Sequence, residues 1–499
     1  MNVDWNRRAV NAAWVVSMTA MLAMFSSLKV AGFTGDDWHY LALLRHIDSP
    51  VDIFTTNIGL SYFYRPITLF VFWLSGSAFG INPIPHYGLN IALHVWVAAE
   101  IYECSKRVTA RHTLSAWIAG LFLAFPATSA TVLWVSNRFD LMATAAMLCS
   151  LRLMWTWCST EKRANQYFWL SLLMAVIALG SKETAFALLP AMLVSIALLR
   201  QRSRREKITA AFIVFTLAAL ALVIRFAVLG ELRPGQSIIG TITTVVHGTT
   251  QLFLILPTAL QTQSGHWVLI ALSTAVLVLC WPARGIYSLR PVAGPASLLL
   301  LPLFVLLVSV VLAQSLITAT ALSAPNGELA TVSLRFYYAP LAILFVIAAA
   351  PASRIACSSS RTILVWAAFC MAVIASAIAS ARQTQAWAAN TAAERDQSVA
   401  AQKKYAAMVE QQRGAQSACL VQIDGENVVP TDLDLKFKAT LDSTDQRVNC
   451  VLITIPPQSQ SITRIAPCRT EAVLPARPRH AEIPATPRSG TCTYFFLTR

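Results

Sequence analysis

The chain has 499 residues, of which 56% are hydrophobic and only 13% charged, with a mean hydropathy of +0.57. Soluble domains are charged at about 25% of positions, and no water-soluble core hides this much apolar surface. A cytosolic enzyme and a disordered chain are excluded, and a polytopic α-helical membrane protein is expected. The net charge of +15 does not point to nucleic acid, because Lys and Arg sit in short clusters between apolar runs, where membrane topology uses them.

In chain order, apolar runs approach the roughly 20 residues that cross about 30 Å of hydrocarbon. They lie at 10–30, 65–80, 87–104, 114–135, 139–158, 167–180, 184–200 and 208–229, then at 267–282, 296–322, 336–351 and 362–380. A weaker amphipathic stretch lies at 240–262. The expectation is an all-α membrane domain over 1–380 with about 11–13 transmembrane helices. The run at 10–30 follows Arg7 and Arg8. It is too long for a signal peptide and shows no small-residue cleavage site, so it reads as a signal anchor.

Orientation follows from Lys and Arg. The cluster Arg200, Arg202, Arg204, Arg205 and Lys207 belongs in the cytoplasm, with Lys106/Arg107/Arg111, Lys162/Arg163, Arg284/Arg290 and Arg354/Arg361. The N-terminus is then inside. Segments 31–64, 136–140, 181–183, 231–237 and 323–338 are outside. One conflict remains. An odd number of crossings must separate residue 31 from residue 200, yet six runs lie between them, and the pair 65–80 and 87–104 is the weakest.

Residues 381–499 are polar and rich in Pro between 456 and 487, and read as a small α+β domain on the extracytoplasmic side. A helix is expected at 391–413 and strands at 418–423, 448–455 and 492–497. Cys419, Cys450, Cys468 and Cys492 form an even set in an oxidising compartment, so two disulfides are expected, in any of three connectivities. The other cysteines read as small hydrophobes. There is no internal repeat.

Ionisable groups near hydrocarbon are costly unless paired or wet, so they carry the functional information. By the orientation above they gather on the outer side. Gly35-Asp36-Asp37-Trp38-His39-Tyr40 follows the first helix, and Tyr64-Arg65-Pro66 opens the second run. His86, Asn90 and His94 lie four apart on one helical face. Pro126 and Trp134-Val135-Ser136-Asn137-Arg138-Phe139-Asp140 follow, then Ser181-Lys182-Glu183 and Arg335-Phe336-Tyr337-Tyr338-Ala339-Pro340. Each has a bland counterpart: a solvated helix end for the Asp pair, interhelical hydrogen bonds for the His stripe, structural ion pairs for Arg138/Asp140 and Lys182/Glu183, and a snorkelling anchor for Arg335. No third ligand stands at zinc-site spacing, so no metal site is expected.

This ordered series resembles the multi-spanning GT-C glycosyltransferases, which include the protein O-mannosyltransferases, and above all the transmembrane O-mannosyltransferases that carry TPR repeats. The likeness covers roughly 30–200 and 333–341. The chain departs from that subfamily in having no TPR repeats, and its Cys-containing tail follows none of the family's patterns. The resemblance implies a GT-C fold and a sugar donor on a polyprenyl phosphate. It implies an acceptor protein or glycan arriving at the periplasmic face of a bacterial inner membrane. It places the catalytic base at Asp36, with Asp37 second. Arg65, Arg138, Lys182 and Arg335 are phosphate candidates, and Tyr64, Trp134, Tyr337 and Tyr338 pack lipid or sugar. His86, Asn90, His94, Asp140 and Glu183 complete the expected substrate-binding set. No cofactor is required, although the Asp36/Asp37 pair would accept a divalent cation. Two other classes stand beside this reading: a lipid-linked-sugar polymerase or ligase, and a transporter or flippase. A polymerase would carry its large outer loop late in the chain, and a transporter would show paired halves with broken helices at matching positions. Neither pattern is present.

Overall fold

The computed structural model describes residues 2–229, apart from 35, 46, 48, 59–62, 81, 160–163 and 199–202, and then 299–322, 338–355, 370–392, 421–424, 452–455 and 464–466. The described helices are α1 (Asn2–Phe25), α2 (Asp36–Arg45), α3 (Asp52–Thr55), α4 (Pro66–Phe79), α5 (Pro83–Thr109), α6 (His112–Ala124), α7 (Pro126–Val132), α8 (Arg138–Ser159), α9 (Ala164–Leu179), α10 (Leu188–Leu198) and α11 (Arg204–Leu229). They continue with α12 (Leu300–Leu322), α13 (Tyr338–Ile355) and α14 (370–392). The expected segments 240–262 and 267–282 lie outside the described residues.

Val10–Val30, Val135–Ser159 and Arg204–Leu229 are long and apolar enough to cross a membrane, and the bent pair α6/α7 makes a fourth span by length and composition. Together with the shorter apolar helices, these make the chain an integral membrane protein. The chain gathers into two compact units: Met1–Ala31, Pro50–Val71 and Pro83–Ala389; and Gly32–Ser49, Phe72–Asn82 and Asn390–Arg499.

The first unit is a helical bundle built around α8. This helix is buried on nearly every side, packing against α5, α9, α10 and α13. Small residues allow the close approach. Ser150 of α8 and Ser171 of α9 each donate a hydroxyl to the other's carbonyl, both at 2.8 Å. α11 is more apolar but has the opposite environment, with Phe212 69% and Phe215 67% exposed and only Ala210 and Val214 buried. A helix with that surface faces lipid. Its start carries a capping box, in which Ser203 N and Oγ donate to Glu206 Oε2 at 2.9 and 2.8 Å while Glu206 N donates back to Ser203 Oγ. Arg152 of α8 forks onto Glu100 of α5 at 2.6 and 3.1 Å, and Trp96 Nε1 donates to the same carboxylate. These charges lie within two apolar runs and are compensated where they sit.

α6 and α7 meet at 59°, because Phe125 is extended and Pro126 starts α7 at the position where a missing N–H costs nothing. The carbonyls released at the break are taken up from other helices. His94 Nε2 donates to Leu123 O at 3.2 Å, and Ser380 Oγ of α14 donates to Ala124 O at 2.9 Å.

The expected run 65–80, one of the two weakest, corresponds to α4. At its start, Arg65 forks onto Glu183 and Ile67 N donates to Gly180 O. Just after it, His86 O and Asn90 accept from Arg138 at the start of α8, while Asp140, one turn on, holds Lys182. Residues 65–67 and 83–90 therefore meet the same end of the bundle. The helix that starts at Pro66 has 14 residues, about 21 Å of rise against about 30 Å of hydrocarbon.

In the second unit, Tyr40 of α2 stacks on Phe72 at 5.5 Å, Trp73 Nε1 donates to Ile47 O, and Gly32 N donates to Thr391 Oγ1. Its sheet has the order β1 (Val421–Asp424), β2 (Leu452–Ile455) and β3 (Arg464–Ala466). β1 and β2 are parallel with Val421 opposite Leu452, and β2 and β3 are antiparallel with Leu452 opposite Ala466. β1 overlaps the expected strand 418–423 over residues 421–423, and β2 overlaps 448–455 over residues 452–455. β3 went unanticipated, since three residues show no alternation to read. The expected strand 492–497, the four tail cysteines and nearly all of the expected helix 391–413 lie outside the described residues. α14 runs without interruption through position 380, where the polar segment begins.

α1 packs on α6 across Gly120, where a Cβ would stand 2.0 Å from Ser17 Oγ and 3.1 Å from Ser17 Cβ. Gly120→Val should lower the thermal midpoint in detergent by the equivalent of about 1–3 kcal/mol, the usual cost of overpacking. Ser17→Ala in the same protein should recover part of that loss.

Candidate active site

At one end of the helical bundle, four charged segments distant in sequence meet around the first turn of α8. Asp140 lies in that turn, where a carboxylate is favoured by the helix dipole, and it accepts a hydrogen bond from Lys182 Nζ. Lys182 is placed by the sharp exit from α9, whose last turn closes with Lys182 N donating to Ala178 O at 3.1 Å. Gly180 sits in that turn, and a Cβ there would lie 2.7 Å from Ile67, so only glycine lets the start of α4 approach.

Next along the chain, Glu183 joins two arginines. Arg65 donates through Nε and Nη2 to Glu183 Oε2 at 2.9 and 2.8 Å, and Arg225 Nη1 donates to Oε1 at 3.1 Å. The Arg65 guanidinium also lies 4.3 Å from the Phe63 ring centre and 4.8 Å from that of Phe139, a cation–π sandwich. Burial raises the Glu183 carboxyl, but the two guanidiniums outweigh it and hold the group below the ordinary carboxylate range. Burial lowers the Lys182 ammonium, with Asp140 opposing the shift.

Arg138 is fully buried. Its Nε donates to Asn90 Oδ1 and its Nη2 to His86 O, both at 3.2 Å. Asn90 Nδ2 in turn faces the carbonyls of Val132, Trp134 and Val135 at 3.1 to 3.4 Å. Asn90 thus ties the irregular stretch between α7 and α8 to α5, and Arg138 is held within that tie. His94, one turn further along α5, contacts Tyr338 and Leu123. Tyr64 is turned toward α3, its hydroxyl donating to Phe54 O at 2.9 Å.

The acidic pair belongs to the other unit and opens α2. Asp36 is exposed. Asp37 is buried, and its Oδ2 accepts from Thr34 N at 3.2 Å, reaching back three residues as the acidic member of a capping box does. Arg335 and Tyr337 lie outside the described residues. Among the described residues, no three His, Cys, Asp or Glu side chains gather as a metal ion would require.

Arg225 escaped the sequence reading. Its signal was visible, a lone arginine near the end of a 26-residue apolar helix, but a snorkelling anchor gives the same pattern. Gln383 and Trp387 of α14 were also missed. Gln383 Oε1 accepts from Ser129 Oγ at 2.8 Å, and Trp387 meets the Trp134 ring at 6.1 Å. They fall in the segment whose polarity marked it as tail.

Removing one partner of a buried pair typically costs about 3–5 kcal/mol. Lys182→Met should therefore lower the thermal midpoint sharply. Adding Asp140→Leu should restore most of the loss, and a double-mutant cycle followed by melting in detergent measures the coupling.

No protein-family model matches the chain, and no curated protein sequence matches it. Solved structures do align with it. ArnT from Cupriavidus metallidurans in the apo state is 15% identical over 87% of this chain and 85% of its own, with a TM-score of 0.43. ArnT bound to undecaprenyl phosphate is 14% identical over 89% of each chain, with a TM-score of 0.38. The Archaeoglobus fulgidus oligosaccharyltransferase tethered to an acceptor peptide is 12% identical over 77% of this chain, with a TM-score of 0.42. This chain spans 55% of that protein's length. At such scores these likenesses carry no residue-level correspondence.

Proposed function

We propose that this chain is a membrane glycosyltransferase of the GT-C type. It transfers a sugar from a polyprenyl-phosphate carrier to an acceptor hydroxyl on the periplasmic side of a bacterial inner membrane. One observation carries the reading: Arg65, Lys182 and Arg225 converge with two carboxylates at one end of a bundle of apolar helices. A lipid phosphate stays anionic before, during and after transfer. It needs cations held in a poorly solvated place at headgroup level, and guanidinium forks and an ammonium supply them. The Lys and Arg clusters elsewhere in the chain support the outer placement of this end.

The chemistry needs one further group. As the acceptor oxygen forms its bond to the anomeric carbon, its proton passes to a carboxylate, and the bond from that carbon to the phosphate oxygen breaks. The phosphate leaves without protonation because its charge is balanced. Asp36 is the base in this reading. Its carboxylate is exposed, whereas that of Asp37 is engaged with the backbone of Thr34. Arg335 and Tyr337 join the donor site, and residues 381–499 form a periplasmic domain closed by two disulfides among Cys419, Cys450, Cys468 and Cys492. No divalent cation at Asp36/Asp37 is required.

Purified protein assayed with a panel of polyprenyl-phosphate hexoses tests the reaction class. Asp36→Asn should reduce transfer by about 10²–10⁴-fold, the usual loss of a general base, with donor binding kept. Asp37→Asn should cost less in turnover and more in stability. Full activity in both variants would remove the first outer segment from the mechanism. For topology, a C-terminal alkaline phosphatase fusion should be active and a C-terminal GFP fusion dark, and the reverse would overturn the periplasmic placement.

A further inference from the structure

We propose that Trp134 and Trp387 form a binding site for a pyranose ring, the sugar of the donor or of a glycan acceptor; this rests on the reading of the chain as a glycosyltransferase. Over residues 113–151 every residue is buried except Pro126, Ala127, Ala130 and Trp134. Pro126, Ala130 and Trp134 follow one another at intervals of four. The exposed positions therefore make one window along α7 and its continuation, in a stretch that is otherwise enclosed. Trp387 of α14 borders the window. It is partly exposed, and its ring lies 6.1 Å from that of Trp134 at 43°.

The window shows carbon. Trp134 Nε1 is enclosed, and Trp387 Nε1 donates to the hydroxyl of the buried Tyr87 at 3.4 Å. A tryptophan that anchors a protein in a membrane interface does the reverse and keeps its N–H on the wet side. Nor is this an ordinary lipid-facing surface. α11 offers large side chains such as Phe212 and Phe215, whereas the residues beside the two indoles are alanines. Flat rings beside a low floor suit a flat ligand with an apolar face. A pyranose has such a face, made of its axial C–H bonds, and a rim of hydroxyls. Gln383, one turn before Trp387, serves the rim. It is partly exposed, and its Oε1 accepts from Ser129 Oγ at 2.8 Å, so its NH2 end is the donor left for a hydroxyl. An isoprenoid chain would have no use for that donor. The window also stands next to the charged cluster. Asn90 Nδ2 donates to Trp134 O at 3.1 Å while Asn90 Oδ1 accepts from Arg138, two residues before Asp140.

The test titrates full-length protein in nanodiscs with polyprenyl-phosphate hexoses, with polyprenyl phosphate that lacks the sugar, and with free hexose disaccharides. Trp387→Leu keeps apolar bulk and loses the flat ring. It should weaken binding of the hexose-bearing lipid about 3- to 10-fold, the scale of one lost ring contact, and leave polyprenyl phosphate unaffected. Trp387→Phe should recover part of the loss. Ala130→Leu, a change at a partly exposed position, should have the same selective effect by raising the floor. Gln383→Glu keeps an acceptor for Ser129 without the amide donors, and should lower the ratio of the two lipid affinities. If the acceptor supplies the ring, the selective loss appears with the disaccharides and not with the donor. Equal loss for both polyprenyl lipids would make the pair a seat for isoprenoid, and unchanged saccharide binding in every variant would make it packing alone; either result overturns the proposal. Protein that binds polyprenyl phosphate above polyprenol but gains nothing from any sugar refutes the proposal and leaves the donor reading standing. Protein that binds neither lipid nor saccharide loses both.

Discussion

In an apolar interior an ionised side chain must find its compensation within the protein, because neither lipid nor neighbouring side chains will hydrate it. The Asp140–Lys182 pair is where this constraint acts most strongly. Both groups are buried, one in the first turn of α8 and the other just beyond α9. Once they meet, the level of the 180–183 turn against α8 is fixed, and the rest of the cluster follows. Glu183 is carried into place as the next residue, Arg65 reaches it from the start of α4, and Arg225 reaches it from α11. The same pairing brings residues 65–67 and 83–90 to one end of the bundle.

Backbone groups obey the same rule. The break between α6 and α7 would leave carbonyls stranded in a dry interior, and the protein satisfies them with side chains from α5 and α14. This turns a polar stripe on α5 into a set of ties. Asn90 gathers the carbonyls between α7 and α8, and His94 serves the end of α6 and, through Tyr338, the start of α13. Residues that a sequence marks as site candidates thus act on the irregular backbone around the site. That outcome is common where helices are interrupted, since each interruption creates acceptors that the bilayer cannot solvate.

The contrast between α8 and α11 follows from the neighbours of each. α11 is the more apolar of the two, yet it is α8 that is buried. α8 is enclosed by other helices and offers small side chains to them, while α11 offers Phe212, Phe215 and Val223 to lipid. Arg225 interrupts that pattern. Ile224 and Phe226 on either side of it are exposed, yet its guanidinium is directed to Glu183. In the proposed enzyme this places a cation at the boundary between the bundle and the bilayer, where the phosphate of a membrane-borne donor arrives.

By itself the sequence determined the class of molecule, because hydropathy sums over residues without regard to their neighbours. It placed the apolar helices, and the Lys and Arg clusters predicted sides. Pro126, the Asp pair and the charges at 138–140 and 182–183 also stood out, since polarity at those depths is costly whatever the fold. Partnership was not legible there. Arg138 and Asp140 are two residues apart, as are none of their partners: Asn90, His86 and Lys182 come from other helices, and no periodicity links residue 65 to 183 or 183 to 225. Whether Arg225 snorkels or pairs and whether His94 meets a carbonyl both depend on what lies across an interhelical gap of a few ångströms. Only the tertiary structure decided these, because hydrogen bonds and ion pairs act over contact distances that the linear order of residues does not encode.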